Sequence, residues 1–139
     1  SSSSLFNSNL VGSDITKAIL KNANLSNSNF SDANLNQANL SNANLNNVNL
    51  TNANLSNANL SEADLAGANL NNATLKGAVL IGANLRFADL TRADLTNAIL
   101  KDSNLTGANL NGAITKNIKG CPRLLPEKWV CENNYLKKL

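Results

Sequence analysis

Histidine and methionine are absent from this chain of 139 residues, and aromatic side chains are nearly so: three Phe, one Trp and one Tyr. Each shortage removes a class of answer. Without His, the two thiols of Cys121 and Cys131 make a poor zinc site, and no His assists a nucleophile or an acid–base pair. Few aromatics argue against a conventional globular core, which needs bulk. A narrow tube stacked from identical rungs needs only one Leu and one small residue per rung. No run of 18 or more apolar residues occurs, so no segment reads as a transmembrane helix and membrane insertion is not expected. With no Met, the chain opens at Ser1 without an initiator, which fits removal of an export signal or trimming of a longer chain. Two cysteines within the last twenty residues favour export.

Charge is scarce and unevenly placed, with a formal net value of +3. Residues 1–115 carry six basic and seven acidic side chains, a balance of −1, while residues 116–139 carry six and two, a balance of +4. The basic excess belongs to the tail. It is too small for a nucleic-acid footprint, so no nucleic-acid partner is expected.

What is abundant is one five-residue unit. Residues 34–60 read NLNQANLSNANLNNVNLTNANLSNANL, and every fifth residue from 5 to 110 is Leu except Ile15 and Phe30, giving 22 units without an insertion. Two places before the Leu stands Ala or Ser, with Val48 the exception, and the intervening place is mostly Asn or Asp. A period of five matches neither the 3.6 of a helix nor the alternation of a long strand. It does match three extended residues, out, in and out, followed by a two-residue corner rich in Asn, Asp, Ser and Gly. Leu then points inward, and stacked coils pair backbone to backbone except at the two ends.

Four faces place residues 20 apart in one column, and three place residues 15 apart. Of the apolar exceptions before the core residue, Ile19, Val79, Ile99 and Ile114, the first three share a column only on the 20-residue count, which favours a square section. About five and a half such coils make a body roughly 26 Å tall at strand spacing.

These units resemble the pentapeptide repeat family, whose motif is A(D/N)LXX. Ala83-Asn84-Leu85, Ala88-Asp89-Leu90 and Ala93-Asp94-Leu95 match it, and the likeness covers residues 3–113, while Thr74, Val79 and Ile99 depart from it. The resemblance implies an all-β fold: a right-handed, quadrilateral parallel β-helix. Fold alone does not imply function, because this family hosts several unrelated ones.

The division expected is a repeat body over residues 1–115 and a cap over residues 116–139. At the first coil Phe6 and Val11 stand where the unit expects polar residues, which suggests a homodimer through that coil. At the other end Thr115 replaces the due Leu, and Leu124, Leu125, Trp129 and Val130 are the bulky groups available to close the tube. Pro126-Glu127 reads as the opening of a short helix. Cys121 and Cys131, ten apart and not in a CxxC motif, read as a structural disulfide tying the cap, with two reduced, packed thiols as the alternative.

Catalysis finds little to build on. The carboxylates Asp89, Asp94, Glu62 and Asp102 read as repeat residues, and neither an enzyme activity nor a cofactor is expected. A topoisomerase-binding DNA mimic, known in this family, needs a dense negative field that the near-neutral body lacks. One feature departs from the repeat: Val79, Ile81 and Ile99 point outward on one face, with Phe87 at a nearby corner, as a candidate protein-binding patch. The expectation is a rigid module for binding an unknown protein. The asparagine-rich units and the CP…LP..W.C tail resemble cyanobacterial and chloroplast members, which implies the periplasm or thylakoid lumen, the cytoplasm being the alternative.

Overall fold

The computed structural model describes residues 4–139. Along the body each outward residue before a core position pairs in parallel with the residue twenty further on, from Ser4 with Asn24 to Asn104 with Leu124. A coil is therefore four units. We number the faces by their inward residues: face 1 holds Leu25, Leu45, Leu65 and Leu85; face 2 Phe30, Leu50 and Leu70; face 3 Leu35, Leu55 and Leu75; face 4 Leu40, Leu60, Leu80 and Leu100. Each face contributes a single bridged residue per coil before the next corner, so the body is a stack of parallel bridges rather than of long strands.

Why five residues suffice becomes clear on counting amide protons. In the unit that begins at Leu45, Leu45 N–H donates to the Asp64 carbonyl at 2.7 Å and Asn47 N–H to the Ala66 carbonyl at 3.0 Å, both in the next coil. Asn49 N–H donates back to Ser28 at 2.9 Å, and Val48 N–H closes the corner on the Leu45 carbonyl at 3.2 Å. Only Asn46 N–H lacks a backbone acceptor. The Oδ1 of Asn44 takes it at 3.1 Å. Asn or Asp before Leu is thus the side chain that completes the hydrogen bonding of its unit.

The corner sets the other preference. Its third residue has positive φ at every repeat from Asn7 to Asn117, the geometry of a type II turn, which Gly, Asn and Asp tolerate best. Among the larger residues that adopt it are Glu62, Phe87 and Arg92, at φ of 57°, 58° and 58°. Each of these three has Gly one coil later, at Gly82, Gly107 and Gly112, and a Cβ there would meet the Glu62 carboxylate, the Phe87 ring or the Arg92 stem. In the lower coils, large corner side chains therefore lie along the rod over a glycine shelf.

Inside, the Leu and Ala columns are fully buried from Ala23 through Leu105. The buried hydroxyl of Ser103, standing in an Ala place, donates to the Leu100 carbonyl at 2.7 Å. At the first coil Leu5, Leu10, Ile15 and Ala18 are only half-buried, because among the described residues no coil lies over them.

The lower end corrects the helix expected in the cap. The ladder of bridges runs on past residue 115, through Ile99 with Lys119 and Asn104 with Leu124. Pro126-Glu127 opens a turn, closed by Trp129 N–H on the Pro126 carbonyl at 3.1 Å, and not a helix. Beyond that turn the chain forms a hairpin of β1, Trp129–Glu132, and β2, Tyr135–Lys138, joined by Asn133 and Asn134, both at positive φ. An Asn-Asn pair in that conformation is the two-residue turn that matches strand twist, which outweighs the helix signal of the proline.

The hairpin's inward side is the plug. Leu136 is buried, Trp129 and Cys131 pack on the core with Leu125, Thr115 donates its hydroxyl to the Leu136 carbonyl at 3.2 Å, and Ile118 N–H reaches Asn134 at 3.0 Å. Leu124 stays outside the plug at 46% exposed, because it continues an outward column beneath Asn104. Val130 alternates with Trp129 and Cys131 and does not join the core. Cys121 and Cys131 form a disulfide, Cα to Cα 5.8 Å, that ties the last corner of the coil to β1.

Candidate docking face

Chemical variety is confined to part of the rod. Residues 22–61 hold one charged side chain, Asp32, whereas residues 62–102 hold nine. The upper coils present a uniform surface of amides and hydroxyls, and the lower ones depart from it.

From Asn9 to Ile114, five units replace the Asn or Asp that takes the N–H two residues on, at Ile19, Val79 and Ile99 on face 4 and at Thr74 and Ile114 on face 3, and only on face 4 do two apolar replacements stack in successive coils. Val79 and Ile99 are stacked partners in one column, and Ile81 follows Val79 across Leu80, all three half-buried. Because Val79 and Ile99 replace Asn, no side-chain oxygen takes the N–H of Ile81 or of Lys101. Among the described residues neither amide has an acceptor, while Ser41 and Ser61, higher on the same face, donate theirs to Asn39 and Asn59 at 3.1 and 3.0 Å. Beside this strip an open groove of about 690 Å³ runs along the corner between faces 3 and 4, lined by Ser56, Asn57, Lys76, Gly77, Asn97, Ile99 and Lys119.

Lys76 reaches Asp94 on face 3 at 3.3 Å. Burial, the largest single influence on Asp94, pushes its carboxyl up, but the Thr96 side chain, the Thr96 N–H and Lys76 together hold it below the usual carboxylate range. A lowered folded-state pKa stabilises above the unfolded value, about 3.9, and that contribution is lost as pH falls through the folded one. Wild type is thus expected to lose more stability than Asp94→Asn between neutrality and about pH 2, read by denaturant midpoints. Parallel losses would show that Asp94 is not held down.

Phe87 does not belong to this patch. It stands on the corner between faces 1 and 2, a whole face away from Ile81, and is 64% exposed. Its ring lies over Gly107, with the Arg86 guanidinium 5.4 Å from the ring centroid. The sequence grouping failed because proximity along the chain spans a full face in this fold. The glycine twenty residues beyond Glu62, Phe87 and Arg92 was the unused signal. Other exposed apolar groups cluster at the first coil: Phe6 at 54%, Val11 at 49% and Ile19 at 81%. Among the described residues no group of three His, Cys, Asp or Glu side chains converges as metal ligands would.

The profile of pentapeptide repeats matches residues 8–47, 43–80, 58–97 and 78–114, which is most of the chain. The chain belongs to the pentapeptide repeat family. Its members form right-handed quadrilateral β-helices, and the four-sided coil of this chain has that architecture. Among solved structures, a pentapeptide repeat protein of the Arabidopsis thaliana thylakoid lumen is 30% identical with a TM-score of 0.70, over 72% of this chain and 70% of that one. Rfr23 of the cyanobacterium Cyanothece 51142 is also 30% identical, over 89% of this chain and 91% of its own, at a TM-score of 0.43. QnrB1, a plasmid-mediated fluoroquinolone resistance protein, is 18% identical at a TM-score of 0.53, over 76% and 68% of the two chains, a likeness of fold alone. A search of curated proteins returned no match.

Proposed function

We propose that this pentapeptide repeat protein is a non-enzymatic docking scaffold whose protein partner sits on the lower half of face 4, over Val79, Ile81 and Ile99. The observation that carries the reading is the column in which two successive coils give up the Asn that completes their own hydrogen bonding and put an apolar side chain in its place. An isolated apolar residue on a surface, such as Ile19 at the top of the same column, needs no explanation, but this stacked pair leaves two successive backbone N–H donors without the side-chain acceptor of the motif. Leu and Ala columns fill the interior, so the reading puts binding on the outer faces. Phe87, held on its glycine shelf, is a second contact at a separate corner, and the open first coil with Phe6 and Val11 is a surface for a second copy of the chain.

An oxidising compartment suits the Cys121–Cys131 disulfide, and the likeness to a thylakoid-lumen protein supports the same address. The DNA-mimic reading has no dense negative field to rest on, and supercoiling by a type II topoisomerase is expected to continue at micromolar protein.

Affinity capture from lumenal or periplasmic extract tests the patch. A protein retained by wild type should be lost from the Val79→Ser, Ile81→Ser, Ile99→Ser variant. Identical captured sets would remove face 4 from the reading and leave the Phe87 corner and the first coil to be varied next.

A further inference from the structure

The geometry points to a second copy of this chain as the occupant of face 4, laid parallel to the first across a two-fold axis that runs along the rod. This rests on the face 4 patch as the docking site and names what docks there. The two edges of face 4 carry opposite charge. At the corner toward face 3 stand Lys76 and Lys116, two coils apart in one column, and Lys119 lines the same groove as Lys76 from beneath Ile99. At the corner toward face 1 stand Glu62 and Asp102, both exposed. Between the edges lie Val79 and Ile99 on one side of the core column and Ile81 on the other. A surface that is basic along one edge, apolar along the middle and acidic along the other edge is complementary to itself.

Symmetry decides the arrangement. A two-fold axis along the rod sets each basic corner against the acidic corner of the other copy, whereas an axis across the rod would set basic on basic. Parallel copies also keep their coils level. Fourteen residues separate Lys76 from Glu62 and Lys116 from Asp102, so each pair differs in height by about 3.4 Å. A Lys and a carboxylate reaching toward each other span the roughly 10 Å between packed faces. The groove of about 690 Å³ along the basic corner receives the projecting acidic corner. Level coils bring Val79 against Ile81 of the second copy, twice, and Ile99 against the stem of Lys101. Two features oppose the pairing. Lys101 comes near Lys119 of the second copy, and residues 120–139, with four basic and two acidic side chains, lie at one end in both copies, where salt screens them beyond about 8 Å. The contact is small too: three coils of one face bury roughly 300 Å² on each copy, well under a stable interface. A narrow, wet seam leaves the N–H groups of Ile81 and Lys101 to bridging water. The dimer is accordingly weak, with a dissociation constant of about 0.1–1 mM.

The test is sedimentation equilibrium of the oxidised full chain from about 10 µM to about 2 mM, over which the average mass of wild type should rise toward that of a dimer. Two double variants exchange the charges. Glu62→Lys with Asp102→Lys makes both edges basic, and Lys76→Glu with Lys116→Glu makes both edges acidic. All four side chains are exposed, and Lys17 already holds a corner at φ of 60°, so both variants are expected to fold. Each alone should dimerise about tenfold more weakly or worse, and their equimolar mixture should recover the dimer, because a basic edge then meets an acidic one on both sides. Phe6→Ser with Val11→Ser, at the first coil, should leave the association unchanged. No rise in mass up to about 2 mM, or a mixture no more associated than its components, overturns the proposal. Association that disappears with Phe6 and Val11 overturns it as well. If the second copy fails in one of these ways while extract still yields another protein that requires Val79, Ile81 and Ile99, face 4 stands as the docking site with a different occupant.

Discussion

Leu65→Ala is expected to cost about 3–4 kcal/mol of unfolding free energy, and Leu10→Ala only about 1 kcal/mol, although both remove the same atoms from the same place in the unit. Leu65 is fully buried between Leu45 above and Leu85 below, so truncation leaves a void whose walls are two rungs held by their own ladder of hydrogen bonds. Those walls cannot collapse without breaking the backbone pairing of Leu45 N–H with Asp64 and of Leu65 N–H with Asn84, each at 2.7 Å. Leu10 is half-buried, with no coil above it among the described residues. Its removal exposes surface that water already reaches, and the loss is close to a transfer term alone. In a rod where each coil touches only its neighbours, the middle substitution also splits the stack, whereas the end one frays it. Denaturant unfolding of the two variants beside wild type measures the difference. Equal losses would mean that the first coil is covered in solution. A second copy of the chain meeting Phe6 and Val11 would then account for it, and sedimentation would show the doubled mass.

Whether a residue's role was legible in the sequence depends on whether it acts within its own unit or across coils. The inward Leu and the small residue at the corner follow from spacing, because one unit repeated without an insertion leaves no other way to bury Leu, whereas the square section rests on the few apolar exceptions. Ile19, Val79 and Ile99 marked the coil length, and their column is the one the ladder shows. The role of Asn before Leu was not legible, since it answers to a single amide that no backbone group can reach. Phe87 was misplaced because five residues along the chain turn through a corner, so near neighbours in sequence look out in different directions. The cap was misread for a different reason. Pro126 signals a helix start, but the Asn-Asn pair that begins seven residues on fixes a tight hairpin, and a hairpin alone brings Leu136 under the tube. Leu136 was missed as a plug residue because the repeat had ended and no period remained to place it.

Replacing Cys121 and Cys131 with Ser should lower the stability of the lower end by about 3 kcal/mol, the entropy of closing a loop of some ten residues. The reason to expect most of that figure lies in how little else holds the hairpin. β1 and β2 pair only with each other, and their ties to the coil are Ile118 N–H on Asn134, the Thr115 hydroxyl on Leu136 and the packing of Leu136, Trp129 and Leu125. An isolated two-stranded hairpin is marginal in water, so the disulfide converts a weak docking into a fixed one. Without it the hairpin is expected to open before the coils melt, giving an early, small transition ahead of the main one. Opening would bring water to Ile118 and Leu110, which are otherwise sealed, and melting would then begin from this end instead of from the first coil. Hydrogen exchange can follow the order: in wild type the amides of residues 5–20 should exchange first, and in the double Ser variant those of residues 105–120 should overtake them. If the order is unchanged, the apolar plug is sufficient by itself and the disulfide adds nothing to the rod. If it inverts, the basic tail and face 4 keep their arrangement only where thiols are oxidised, so docking on face 4 would depend on the redox state of the compartment.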